Sequence, residues 1–230
     1  MENKFFEQMN ARRMGLIVSL PRNDAELAWA ASQGGADAMK VHINVRHAAS
    51  GTQFGSFQEE KENIAAIIAA TSAPLGIMPG AGEVASTDEL GELRDMGARF
   101  YDIYLQHMPV SYLGVDGLEG MPALGEGFRP GVVMMLPKWG FRMLEMSSVP
   151  HGEYGGPLTL NDLLDYAAVC AAFPGIVVVP TQKAIDPGDV AALADAGVRA
   201  LMIGKIVAGD TAASIGAATE AFRAAIDRLG

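Results

Sequence analysis

Three short stretches set polar side chains at every second position of otherwise apolar runs. In Met39-Lys40-Val41-His42-Ile43-Asn44 the odd positions are apolar, while Lys40, His42 and Asn44 share the other parity. Tyr101-Asp102-Ile103-Tyr104-Leu105-Gln106 repeats the pattern with Asp102, Tyr104 and Gln106, and Glu145 and Ser147 share a side of Met143-Leu144-Glu145-Met146-Ser147. Alternate side chains of a strand face opposite ways, so these strands would aim their polar groups into one interior. A mid-strand lysine is informative because an unpaired buried ammonium is costly. Lys40 is either a structural partner of Asp102 or Glu145, or it does chemistry. A desolvated lysine with a lowered pKa can form a Schiff base with a carbonyl substrate. It can also move a proton beside a carbonyl with Asp102 or Glu145 as acid–base partner. His42 and Tyr104 would then orient substrate, with Asn44 and Gln106 lining the pocket, although His42 equally suits a hydrogen-bonded core and Glu145 a solvated surface. His42, Asp102 and Glu145 could in principle hold a metal, but Lys40 beside them would repel a cation and no HExxH motif occurs, so neither metal nor cofactor is expected.

The elements that must position these groups are legible from a recurring joint. Gly35-Ala36-Asp37, Gly97-Ala98-Arg99 and Gly197-Val198-Arg199 each stand between a helix-like segment and a short apolar run, with Phe173-Pro174-Gly175 as a looser version. Glycine just past a helix end marks a helix feeding into a strand. Helix starts are marked by Asp24, by Ser86 with Glu89, by Thr159, and by Asp186-Pro187. Strands are therefore expected at 15–20, 37–44, 74–79, 100–106, 131–137, 142–147, 176–180 and 200–204, and helices at 24–34, 57–71, 86–96, 159–173, 186–196 and 211–229. Eight strands alternating with helices in 230 residues predict an α/β fold, a single-domain (β/α)8 TIM barrel spanning 1–230. Two places resist it: the Gly-rich 107–130 stretch is weakly periodic, and only Lys138 to Phe141 separate the expected fifth and sixth strands, too few for a parallel crossover. The barrel is thus expected to be irregular around strands 4 to 6. The opening FFEQMNARRM reads as an amphipathic helix, within 1–13, that could cap the barrel's N-terminal face.

In such barrels the site lies at the C-terminal strand ends, and phosphate is frequently held by the loops after strands seven and eight. Those loops carry Thr181, Gln182 and Lys183, and Gly204 and Lys205. Gly204 lets backbone N–H groups approach an oxyanion, Thr181 and Gln182 can donate, and Lys183 or Lys205 supplies charge. Lys138, following the expected fifth strand, is a further substrate-binding candidate. His47, His107 and His151 fall in loops, where exposure is the default. The net charge of −10 with no basic run argues against nucleic acid as partner. The lone Cys170 excludes an internal disulfide and sits in an apolar run as a small buried hydrophobe. The N-terminus has no apolar stretch of signal-peptide length and no later segment approaches the length of a membrane span, so no membrane partner and a cytoplasmic location are expected. The apolar MPVSYLGV stretch is a possible contact in a homo-oligomer.

The final third, VVVPTQKAIDPGDVAALADAGVRALMIGKIVAGD, is similar to the closing segment of the ribulose-phosphate-binding barrel superfamily. The start, FFEQMNARRMGLIVSL followed by GGADAMKVHI, resembles N-acetylmannosamine-6-phosphate 2-epimerases. Those enzymes place a catalytic lysine at the end of strand three and a glutamate in a Glu-Gly-Arg or Glu-Gly-Lys motif after strand seven, where this chain has GIMPGAGE and VVVPTQKA. ADAMKVHINV also resembles the second strand of ribulose-phosphate 3-epimerases, with Asn44 where they have aspartate. The resemblance implies the fold and the phosphate loop. Taken together, the residues point to a lyase or isomerase acting on a small phosphorylated carbonyl compound. The competing class is a non-catalytic ligand-binding or regulatory barrel.

Overall fold

The computed structural model describes residues 3–229. Strands β1 (Gly15–Ser19), β2 (Ala38–His42), β3 (Leu75–Met78), β4 (Ala98–Tyr104), β5 (Glu119–Ala123), β6 (Met143–Glu145), β7 (Ile176–Pro180) and β8 (Ala200–Ile203) close into a parallel barrel in which each pairs with its neighbours in sequence and β8 returns to β1. The chain is a (β/α)8 TIM barrel. Its ring of helices includes α2 (Ala25–Gln33), α3 (Phe57–Ala70), α4 (Thr87–Met96), α6 (Leu160–Ala172), α7 (Val190–Asp195) and α9 (Ala212–Asp227). Their ends are fixed locally. Asp24 accepts from the N–H groups of Glu26 and Leu27, Ser86 with Glu89 and Thr159 with Asp162 form capping boxes, and Gly35, Gly97 and Gly197 take φ of 93°, 133° and 92°, values that favour glycine.

Period-two alternation divides the strand residues between two cores. On each strand one set of alternate positions, such as Leu16, Met39, Ile77, Leu144 and Leu201, packs outward under the helices. The other set, such as Ile17, Ala38, Phe100, Met121, Met143 and Val178, fills the lower barrel interior. Gly76 has no side chain, and the Phe100 ring takes that space. From below, α1 (Phe5–Asn10) inserts Phe5, which stacks on Phe100 with ring centroids 4.4 Å apart and planes within 5°. The interior beneath the site is therefore closed and apolar.

The expected fifth strand is wrong. Residues 131–137 do not form it; Pro130–Val133 is a short helix, α5, and Leu136–Trp139 a 3-10 turn. Pro130 at the first helical position explains the choice, since its fixed φ suits a helix start. The real β5, Glu-Gly-Met-Pro-Ala, lies inside the Gly-rich stretch, where Gly120 and Pro122 weaken the strand signal. Placing β5 at 119–123 leaves ample chain before β6 and removes the crossover conflict. Two hairpins, Val45–Arg46 with Gln53–Phe54 and Gly80–Ala81 with Glu83–Val84, decorate the loops after β2 and β3. Among the described residues no helix is long and apolar enough to cross a membrane.

Candidate active site

The C-terminal end of the barrel holds a cavity of about 400 Å³. On its floor, Lys40 from β2 reaches across to Asp102 from β4 and Glu145 from β6. Lys40 Nζ donates to Asp102 Oδ2 at 2.6 Å and to Glu145 Oε2 at 3.5 Å, and the three side chains are 7%, 1% and 8% exposed. Burial pulls the ammonium down, but the negative charges of Asp102 and Glu145 outweigh it, so Lys40 titrates above the ordinary lysine value. The lowered pKa expected for a desolvated lysine is thereby corrected: two carboxyl groups hold the proton on. Burial, reinforced by the charge of Asp102, pushes Glu145 well above the usual carboxylate range, with Lys40 opposing. Lys40 sits where a cation bridging these carboxylates would have to bind.

One step above the floor, His42 packs against His47 with ring centroids 4.3 Å apart and planes tilted by 38°. Its Nε2 lies 3.5 Å from Ser19 Oγ, and its buried Nδ1 has no protein partner. Burial, then His47 and Lys40, hold His42 well below the ordinary histidine value. Burial, then Lys40, pull His47 down to about 4. Both imidazoles are neutral at physiological pH. Asp102 Oδ1 is likewise buried without a partner. On the far wall Tyr104 Oη meets Ser147 Oγ at 2.8 Å, and Gln106 lines the opening.

The remaining candidates divide. Thr181, Gln182, Gly204 and Lys205 line the cavity. Thr181 Oγ1 accepts the Gly204 N–H at 3.0 Å, which fixes the two loops to each other, while Lys205 Nζ lies 3.0 Å from Asp210 Oδ2 and 3.4 Å from the Ser50 carbonyl. Gln182 is committed to Ser147 and Tyr154. Three residues are not brought to the cavity. Asn44 lies past the end of β2 in a left-handed turn, φ 53°, and donates to the Pro79 carbonyl at 3.2 Å, so the alternation of β2 does not extend to it. Lys138 is exposed on the 3-10 turn that leads into the start of β6, away from the strand ends, because the strand expected before it is helical. Lys183 turns aside to Glu153 Oε2 at 2.6 Å.

Sequence reasoning missed several residues. His47, His107 and His151 join the expected His42 in lining this one cavity, as do Arg46 and Tyr154. Each lies at a strand end or within a few residues to about ten beyond one, and position relative to the strand ends was the available signal. Unlike Lys40 and Lys205, Arg46 has no carboxylate within ion-pair distance among the described residues.

No protein-family model matches the chain, and no curated protein matches it by sequence. Its fold, however, matches many solved structures. Tryptophan synthase from Mycobacterium tuberculosis aligns over 100% of both chains at 14% identity with a TM-score of 0.76. Thiamine phosphate pyrophosphorylase from Pyrococcus furiosus aligns over 95% of this chain and 98% of its own at 14% identity, TM-score 0.68. The (S)-3-O-geranylgeranylglyceryl phosphate synthase from Thermoplasma acidophilum, solved with its substrate sn-glycerol-1-phosphate, aligns over 98% and 97% at 16% identity, TM-score 0.65. In architecture the chain thus resembles other (β/α)8 barrels, and these neighbours are enzymes, two of them named for phosphorylated compounds.

Proposed function

We propose that this chain is an isomerase or lyase that moves a proton beside the carbonyl of a small phosphorylated compound. The observation that carries the reading is the buried Lys40 ammonium between Asp102 and Glu145 on the floor of an open cavity. A raised Lys40 pKa favours electrostatic stabilisation of a developing enolate over Schiff-base formation. Burial pushes Glu145 up and His42 down, opposite directions that suit an acid and a base in a proton transfer. In this reading the His42 imidazole takes the proton from the carbon next to the carbonyl, the electron pair moves onto the carbonyl oxygen near Lys40, and Glu145 returns a proton. Asp102 holds Lys40, and Tyr104 and Gln106 contact substrate. The phosphate is met at the rim by Lys205 and Arg46, which the four-residue helix α8 (Lys205–Ala208) and the hairpin after β2 bring to the opening, with Thr181 and Gly204 lining the cavity beside them. The named substrates of the structural neighbours support the phosphorylated class.

The test is solvent exchange. With a panel of phosphorylated aldoses and ketoses in deuterated water, the wild-type protein should place deuterium on the carbon beside the carbonyl of at least one compound. Lys40→Met should stop it while folding normally, and borohydride should leave the protein unlabelled. Exchange that survives Lys40→Met refutes the assignment, and exchange with no compound points to the binding-barrel class instead.

A further inference from the structure

Beside the floor carboxyls lies a wall of hydroxyl groups that the proton-transfer residues do not account for. Gln182 Oε1 accepts the Val149 N–H at 3.2 Å, and because a backbone N–H can only donate, the amide orientation is fixed. Both Nε2 hydrogens are then committed, one to Ser147 Oγ at 2.8 Å and one to Tyr154 Oη at 2.5 Å. Three hydroxyl hydrogens, on Tyr104, Ser147 and Tyr154, remain for at most two bonds among those oxygens, Tyr104 with Ser147 and Tyr104 with Tyr154. At least one O–H is left without an acceptor, and all three residues line the cavity. Burial holds both tyrosines above the ordinary phenol value, so they keep their protons and act as donors.

Position gives this surplus a meaning. Tyr104 ends β4 and Ser147 follows β6, so they flank β5, whereas Arg46 and Lys205 follow β2 and β8 and flank β1. In a closed eight-stranded barrel β1 and β5 lie across from each other. The rim over β1 offers positive charge, and the wall over β5 offers neutral donors. We propose that Tyr104, Ser147 and Tyr154 form an oxygen-binding subsite for the carbonyl or enolate oxygen of the substrate, which therefore lies with its carbonyl towards β5 and its anionic tail towards β1. This deepens the function proposed above and rests on it for the substrate class. Neutral hydroxyl donors suit a single oxygen better than a phosphate dianion, which calls for fixed positive charge.

Two probes separate the subsite from the rim. Glycolate, a small oxyanion without phosphate, and inorganic phosphate are titrated calorimetrically into the wild-type protein, Tyr154→Phe and Ser147→Ala. Loss of one hydrogen bond to a charged acceptor should weaken glycolate binding about tenfold in each variant, while phosphate binding stays as in the wild type and certifies the fold. Glycolate affinity unchanged in both variants, or no glycolate binding by the wild type, overturns the subsite. Glycolate binding with the expected losses but no phosphate binding leaves the subsite standing and removes the phosphate reading instead.

Discussion

Replacing Lys40 by Met tests the electrostatics of the floor without requiring a substrate. The wild-type ammonium is 2.6 Å from Asp102 and 3.5 Å from Glu145, and none of the three side chains is more than 8% exposed. Met fills a similar volume but leaves two buried acidic groups facing each other without a cation. Removing one partner of a buried pair typically costs about 3–5 kcal/mol. In a chain of this size that corresponds to a fall in Tm of roughly 6–20 °C. The penalty should depend on pH. Burial and Asp102 already hold Glu145 above the usual carboxylate range, and a carboxyl whose folded pKa is raised loses stability as pH rises from its unfolded value through the folded one. The deficit of Lys40→Met should therefore shrink on moving from about pH 7.5 to about pH 5. Lys40 itself cannot produce that trend, because its raised pKa keeps its contribution intact below the ordinary lysine value. Thermal unfolding followed by circular dichroism at both pH values reads the effect. A double variant with Asp102→Leu should recover stability, with a coupling of about 2–3 kcal/mol. A Lys40→Met protein melting with the wild type at both pH values would show that the ammonium is not desolvated as described.

Glu145→Gln should flatten the alkaline loss of stability, since it removes the carboxyl that must ionise in a buried place; denaturant titrations between neutral and alkaline pH check this, and an unchanged slope contradicts it. The His47 ring proton signals should titrate with a midpoint of about 4, and stability should decline as pH falls from the unfolded histidine value towards that midpoint because the unfolded chain binds more protons; an NMR midpoint near 6.5 would place His47 in solvent. Gly76→Ala would drive a Cβ into the Phe100 ring, and overpacking of this kind costs about 1–3 kcal/mol, read as a lowered denaturation midpoint; a wild-type midpoint would show that the ring has room to move.

What was legible in the sequence followed physical periodicity. Leu16, Met39, Val41 and Ile103 beneath the helices alternate with Ile17, Lys40 and Asp102 inside, and that alternation alone brings the floor residues together. Helix ends were legible because Asp24, Ser86 and Thr159 carry the oxygen that a cap requires and Gly35, Gly97 and Gly197 the conformation that a stop requires. The fifth strand was not legible, since Glu-Gly-Met-Pro-Ala gains its place from pairing with β4 and not from propensity, while the more strand-like Gly-Val-Val-Met-Met follows a helix-starting proline. Asn44 was misplaced because alternation holds only while the backbone stays extended, and it lies past the end of β2; Lys183 was misplaced because its loop turns it to Glu153. The packing of His42 against His47 could not be foreseen, because the hairpin that folds His47 back has only two residues per strand.

Within the barrel the change from stability to chemistry occurs over one layer of side chains. Inward positions run Ala38, Lys40, His42 along β2 and Phe100, Asp102, Tyr104 along β4. The Phe5 plug seals the layer beneath, so no water reaches the charged groups from below, and they are solvated only by one another and by the cavity contents. A ligand that displaces cavity water therefore strengthens each electrostatic contact it makes there. Asp102 Oδ1 and His42 Nδ1, buried without partners, each leave about 1–3 kcal/mol of hydrogen bonding unmade in the protein alone. Under the proposed function, a carbonyl compound with an adjacent hydroxyl would bring a hydrogen-bond donor and an exchangeable proton to this layer within the span of two carbons.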